Sequence, residues 1–290
     1  MARKNPMKAL IQRIGWLLCA CAAAAGAAPG SDDIEIPVLP YLSTERLLTF
    51  YEPLRRHLQE TLERPVRIVT SPDYRSFVAD VAQGDYPLVL NAAHTARLAE
   101  LDSGYRSIVQ TTNPLHALVV VRAQDPVAGV ADLWGAKVVT PDPAALVTLM
   151  GHGVLRQAGL TPGTDVEMST ADTHNNALTL LLGDDAIRAA IVSNRAYAAL
   201  GEDARARLRI LADTADVGGI PSIVYQCGPG STDADRALLT REILHFAKDT
   251  PAGRAMLEVL GHGGLREVVE TDQQAIDPFL PATREVFSTL

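Results

Sequence analysis

Short, wholly apolar runs alternate along this chain with longer stretches in which apolar residues recur every three or four positions. The runs read as buried strands and the stretches as amphipathic helices. Ile34 to Leu39 is the first strand, followed by a loop at Tyr41. A helix capped by Ser43 or Thr44 runs to about Leu62, with Leu47, Leu48, Tyr51, Leu54, Leu58 and Leu62 on one face. Pro53 inside it predicts a kink or a division. Val66 to Thr70 is the next strand, and Ser71-Pro72-Asp73 starts a helix through Phe77, Val78 and Val81 to Gly84. Leu88 to Leu90 is a third strand, leading through Asn91 and His94 into a short helix. Ser107 to Thr111 and Leu115 to Val121 are further strands, the second long enough to pass from one lobe to another.

The sequence KVVTPDPAALVTLMGHGVLRQAGL, Lys137 to Leu160, repeats the unit most clearly. Val138 and Val139 form a strand, Asp142 is the expected N-cap and Pro143 the expected first helical residue. Gly159 is the expected stop. In this reading the backbone N–H groups of Ala144, Ala145 and Leu146 open a helix mouth, a place where α/β proteins hold small anions, although Asp142 alone would also satisfy it. Gly151 and Gly153 flank His152 inside the helix and are expected to allow close packing. Val166 to Ser169, Ile187 to Val192 and Leu208 to Leu211 are strands, and helices begin at Thr173-His174-Asn175-Asn176 and at Ser193-Asn194-Arg195. Ile223 to Cys227 reads as a returning strand, and Thr232 to Lys248, Gly253 to Leu260 and Pro281 to Leu290 as outer helices.

Strands that are apolar throughout, separated by helices, define an α/β chain with mostly parallel sheets covered on both faces. The order is a first lobe (32–113), a second lobe (114–221) and a return to the first (222–290). Two crossing segments then form a hinge, and a cleft lies between the lobes. In parallel sheets the loops after strand ends share one edge. Six loops therefore converge: those around Tyr41 to Thr44, Ser71 to Tyr74, Asn91 to Thr95, Thr140 to Leu146, Thr173 to Asn176 and Ser193 to Arg195. The candidate ligand-binding residues are Tyr41, Tyr74, Asn91, His94, Ala144, Ala145, Leu146, Thr148, His174, Asn175, Ser193 and Asn194. Each has an ordinary structural role open to it as a cap, a loop residue or a packed ring; their weight comes from convergence.

Composition adds an address. Arg3, Lys4, Lys8 and Arg13 precede twelve apolar residues, Ile14 to Ala25, and the small-residue site Ala25-Gly26-Ala27, the pattern of a secretory signal peptide over residues 1–28. Leu18-Cys19-Ala20-Cys21 offers a second reading, a lipoprotein signal with Cys21 as the lipidated residue. Cleavage near residue 27 removes four of the 26 basic residues and none of the 34 acidic ones, leaving a net charge of −12. That disfavours nucleic acid as a partner. Cys227 then remains as a single thiol, expected to be buried and inert, so no disulfide holds the fold. G-x-S-x-G, H-E-x-x-H, Walker A, G-x-G-x-x-G and C-x-x-C motifs are absent, and the histidines carry no metal-ligand spacing. No enzyme, cofactor or metal is expected; a hydrolase or metal-dependent enzyme using His94 and His174 is the weakest alternative.

Four segments, VLPYLSTERLLTFYEPLRRHL, SPDYRSFVADVAQGDYPLVLNAAHTARLA, ADLWGAKVVTPDPAALVTLMGHGVLRQAGL and THNNALTLLLGDDAIRAAIVSNRAY, resemble the periplasmic phosphate/phosphite/phosphonate-binding proteins of ABC importers. The resemblance spans Ile34 to the C-terminal helices. It implies a two-lobed, type II-like periplasmic binding protein, a monomer that closes on a small ligand and presents it to a membrane permease. A periplasmic sensing component that signals to a membrane kinase would share the same fold. By the resemblance, Tyr74, His94, His174 and Ser193 or Asn194 occupy family contact positions. The family's Ser-Thr-Ser run after the Asp-Pro turn is Ala145-Leu146-Val147 here, with Thr148 one position late. Three hydroxyl donors, each worth about 1.5–3 kcal/mol to a charged oxygen, are gone. A phosphonate-like oxyanion or a less charged analogue is the expected ligand.

Overall fold

The computed structural model describes residues 33–215 and 220–288. The signal-like segment, Cys19 and Cys21 lie outside the described residues. The first half of the chain forms β1 (Ile34–Pro37), α1 (Thr44–Leu62), β2 (Val66–Val69), α2 (Tyr74–Gln83), β3 (Leu88–Asn91), α3 (Ala93–Ser103) and β4 (Arg106–Thr111). The middle forms β5 (Ala117–Arg122), β6 (Lys137–Thr140), α4 (Leu146–Gln157), β7 (Glu167–Thr170), α5 (His174–Gly183), β8 (Ile187–Ser193), α6 (Asn194–Ala198), α7 (Glu202–Ala206) and β9 (Leu208–Asp213). The remainder forms β10 (Val224–Cys227), α8 (Asp233–Asp249), α9 (Pro251–Val259), β11 (Leu265–Glu267), α10 (Glu270–Gln274) and α11 (Leu280–Phe287). Elements α7, β11 and α10 are too short to show a period, and the hydrophobic pattern does not disclose them.

Both sheets are mixed. In the first, β1 pairs in parallel with β2, and Val38 bridges in parallel to Leu90 of β3. Strand β10 lies between β3 and β4, antiparallel to both, and β11 pairs antiparallel with β4. The second sheet runs β7-β6-β8-β5-β9, with β6 parallel to β7 and β8, and with β5 antiparallel between β8 and β9. Each sheet thus has four strands in one direction and one inserted between them in the opposite direction, with β11 also antiparallel at the edge of the first sheet. The inserted strand in each case has just crossed from the other half, so it enters from the opposite end.

Packing accounts for the local departures from the pattern. Pro53 leaves α1 undivided. The carbonyl its missing N–H would have met belongs to exposed Thr49, within reach of solvent, while Tyr51, Leu54 and Leu58 are fully buried and hold the helix on the sheet. They share a core with Ile36, Ile243, Phe246 and Leu257. Every residue of β5 is buried. A methyl group on Gly151 would sit 2.4 Å from Ile191, so the absence of one lets α4 lie against β8; Gly153 faces open space and has no such role. Phe77, Ala92 and Ala93 from the first half share another core with Ala144 to Val147 and Met150 from the second.

Candidate functional site

A cleft of about 540 Å³ is walled by all six loops that follow β1, β2, β3, β6, β7 and β8. Tyr41, Leu42 and Ser43 come from the first loop, Tyr74 from the second and Ala92 from the third. Ala145, Leu146 and Val147 follow β6, Thr173 to Asn176 follow β7, and Ser193 and Arg195 follow β8. Of the candidate residues, Tyr41, Tyr74, Ala145, Leu146, His174, Asn175 and Ser193 lie on this wall.

Five candidates lie elsewhere. Asn91 donates to Gln226 Oε1 at 3.2 Å and accepts from Thr95, and it borders a separate hollow next to α11. His94 is fully buried, with Nε2 2.8 Å from the Ala144 carbonyl. That bond joins α3 to the turn before α4 and uses the Ala144 carbonyl as well. The Thr148 hydroxyl donates to the Asp142 carbonyl at 2.9 Å, and Asn194 is spent on the backbone of Pro114 and His116. Their polarity satisfies the frame that carries the cleft.

The helix mouth also forms differently. α4 begins at Leu146 with Ala145 as N-cap, three residues later than the sequence suggests. The Asp142 carboxylate accepts from the Ala144 N–H at 2.8 Å, an Asx turn that competes with a helix start at Pro143. The Ala145 N–H is bonded to the Asp142 carbonyl at 2.9 Å, which leaves Leu146 and Val147 as the first helical N–H groups. Burial raises the Asp142 carboxyl above its ordinary range, opposed by the N–H groups of Ala144 and Tyr74.

The most consequential wall residue is Arg195, which sequence reasoning placed in a converging loop but did not count as a contact. Its Nη1 donates to Ser222 Oγ at 2.5 Å and lies 2.9 Å from His262 Nδ1. Because Nδ1 accepts, the His262 proton is on Nε2, and burial followed by the guanidinium charge lowers its pKa to about 3. Arg195 forms no ion pair among the described residues, and its Nε and Nη2 have no partner there. Burial lowers its own pKa, with the charge-compensating influence of Tyr41, Tyr51 and Tyr74 opposing that. The Tyr41 and Tyr51 hydroxyls are 2.9 Å apart, and burial pushes Tyr41 up to about 12. His174 Nδ1 accepts from the Ser193 N–H at 3.3 Å, so its proton sits on Nε2 at the cleft. Burial and then Arg195 lower its pKa to about 4. At neutral pH the cleft thus offers a fixed cation, a neutral imidazole donor and the Tyr74 hydroxyl. Among the described residues, the other charged wall residues are Arg46 and Glu258, both exposed. An arginine after Ser-Asn at a strand end was the available signal. No group of three or more His, Cys, Asp or Glu is placed to hold a metal among the described residues.

Two parallel-rich sheets carrying a loop-walled cleft define a two-lobed α/β binding protein. The chain belongs to the family described as ABC transporter, phosphonate, periplasmic substrate-binding protein, whose model matches residues 36–273. It is a periplasmic solute-binding component whose partners are a small-molecule ligand and a membrane permease. Comparison with curated proteins gives no match. Among solved structures, PhnD1 from Prochlorococcus marinus in complex with methylphosphonate is similar at 12% identity and a TM-score of 0.73, covering 89% of this chain and 99% of that one. A Xanthomonas citri protein bound to chloride ion is similar at 18% identity and a TM-score of 0.72, covering 90% and 100%. The aliphatic sulphonate binding protein SsuA from Escherichia coli is similar at 15% identity and a TM-score of 0.61, covering 87% of each. At these identities the likenesses establish the fold.

Proposed function

We propose that this protein captures a small anion in the cleft and hands it to the permease of an ABC importer, without catalysing a reaction. The observation that carries the reading is Arg195: a guanidinium set into a cleft with no carboxylate partner among the described residues leaves a charge for a ligand to neutralise. An unpaired cation in a partly desolvated place is costly, and a bound oxyanion removes that cost. His174 and Tyr74 supply neutral donors beside it. The similar structures named above hold a phosphonate or chloride or are named for a sulphonate, all anions. In this reading the lobes span 32–113 with 222–290, and 114–221, residues 1–28 are a cleaved signal peptide, and the mature protein acts as a monomer. Thermal melting with phosphate, phosphite, phosphonates and sulfur oxyanions tests it. A bound anion raises stability by RT ln(1 + [L]/Kd), about 2.7 kcal/mol at a hundredfold excess over Kd. The shift is expected in the wild-type protein and absent in Arg195→Gln. An oxyanion response that survives in Arg195→Gln would sink the assignment.

A further inference from the structure

Arg195 belongs to α6, which follows β8 of the second sheet, yet both bonds that hold it reach segments of the first. Its Nη1 carries two hydrogens. One goes to Ser222 Oγ, shortly before β10, and the other to His262 Nδ1, shortly before β11. With Nη1 engaged in this way the plane of the guanidinium is fixed, and Nε with Nη2 forms the forked edge left for an anion. Ser222 stands on the cleft wall, but His262 does not: it is buried behind the wall residue Gly261.

The backbone of His262 is held on several sides. α9 closes at Gly261 with φ +66°, where the His262 N–H returns to the Leu257 carbonyl at 2.8 Å and the Gly261 N–H to the Glu258 carbonyl at 3.0 Å. Asn113 donates to the Gly261 carbonyl at 2.8 Å and accepts from the Gly263 N–H at 2.9 Å. The Thr112 N–H bonds the Gly264 carbonyl at 3.0 Å. Residues 261–264 are thus clamped to the segment that leads from the first sheet into the second. The side chain, by contrast, is only half satisfied. A guanidinium cannot accept a hydrogen bond, so Nδ1 is bare and the proton lies on Nε2, which is buried with no partner among the described residues. An orphaned buried N–H costs stability, and an apolar side chain here would avoid that cost. What the imidazole contributes at this position is therefore the acceptor it holds against Arg195.

We infer that His262 is a positioning residue for the ligand: without touching the anion it fixes the Arg195 guanidinium so that Nε and Nη2 face the cleft, and thereby sets the anion affinity. This rests on the anion-capture reading and deepens it. An arginine free to turn about its outer bonds loses conformational freedom when an anion binds, and pinning Nη1 in advance removes that cost.

Calorimetric titration of the mature protein with methylphosphonate, methanesulfonate and inorganic phosphate tests it. At least one of the three is expected to bind the wild type, and that probe is carried through the variants. His262→Phe and His262→Leu differ in size and both lack the acceptor. Each is expected to weaken binding at least about tenfold, the loss that one charge-assisted hydrogen bond accounts for. His262→Asn puts Oδ1 near the place of Nδ1 and should restore most of the lost affinity. Circular dichroism confirms folding, and either acceptor-free variant that folds carries the comparison. Thermal melting of the empty proteins separates positioning from packing: the acceptor-free variant is expected to melt no lower than His262→Asn while binding more weakly. Equal affinity in the acceptor-free and Asn variants, or a stability ranking that follows the affinity ranking, overturns this inference and leaves anion capture standing. Failure of every probe to bind the wild type overturns both.

Discussion

His94 offers the sharpest test of how the two halves are held together. Its Nε2 donates to the Ala144 carbonyl across the shared core, and its Nδ1 is buried without a partner. Protonation would place a hydrogen on Nδ1 with nothing to receive it, inside a site from which water is excluded. Burial accordingly lowers the pKa from 6.5 to about 4, against the opposing effect of the Ala144 carbonyl. A base whose folded pKa lies below its unfolded value gives stability that is complete above the unfolded pKa and is lost as the pH falls toward the folded one. Between neutral pH and about pH 5 the loss from this side chain alone is about 2 kcal/mol, a large share of the 5–15 kcal/mol that typically holds a domain. Urea unfolding across that range, in wild type and in His94→Gln, measures it. Glutamine can keep a donor for the Ala144 carbonyl but does not titrate. The variant should therefore lose less stability than wild type on acidification, by about the same 2 kcal/mol. Equal slopes for the two proteins would refute the assignment of a neutral, unpartnered imidazole at this position.

Other outcomes follow from single contacts. Gly253→Ala should destabilise the fold by about 3 kcal/mol or more, because the added methyl group would lie 1.9 Å from the backbone oxygen of Phe246; thermal unfolding reads this directly. Cys227 is fully buried and its thiol is pushed up to about 11 by burial, so thiol reagents should label it only at the rate of opening, and rapid labelling of the folded protein would contradict its placement. Tyr225→Phe removes a buried hydroxyl that has no partner, so equilibrium unfolding should show stability unchanged or raised by about 1 kcal/mol. Placing Ser-Thr-Ser at residues 145–147 should lower the melting temperature of the free protein, because Leu146 and Val147 are buried in the core shared by the two halves.

The alternation of elements was legible in the sequence because each strand is short and apolar and each long helix carries a repeating stripe. The convergence of six loops followed from that order. Less legible was anything decided by a bond between distant residues. Asp142 reads as a cap, but its carboxylate bends back to Ala144 and delays α4 to Leu146. His94 reads as a ligand contact, but it serves a carbonyl fifty residues away. The insertion of β5 and β10 against their neighbours cannot be inferred from hydrophobic period, since a buried strand looks the same in either direction. Arg195 passed as a helix-start residue because only the fold shows that no acid meets it.

The placement of β10 bears on the order in which the chain can acquire its shape. The second sheet is contiguous in sequence from Ala117 to Asp213, so it can be completed as soon as that segment is available. The first sheet has a vacancy between β3 and β4 until Val224 to Cys227 arrive, more than a hundred residues after β4 ends. A nascent polypeptide emerging amino end first therefore carries two unpaired strand edges while the whole second sheet is being made, edges prone to association with other chains. Shortening the protein ahead of β10 would leave the middle third able to fold and the leading third without its keystone.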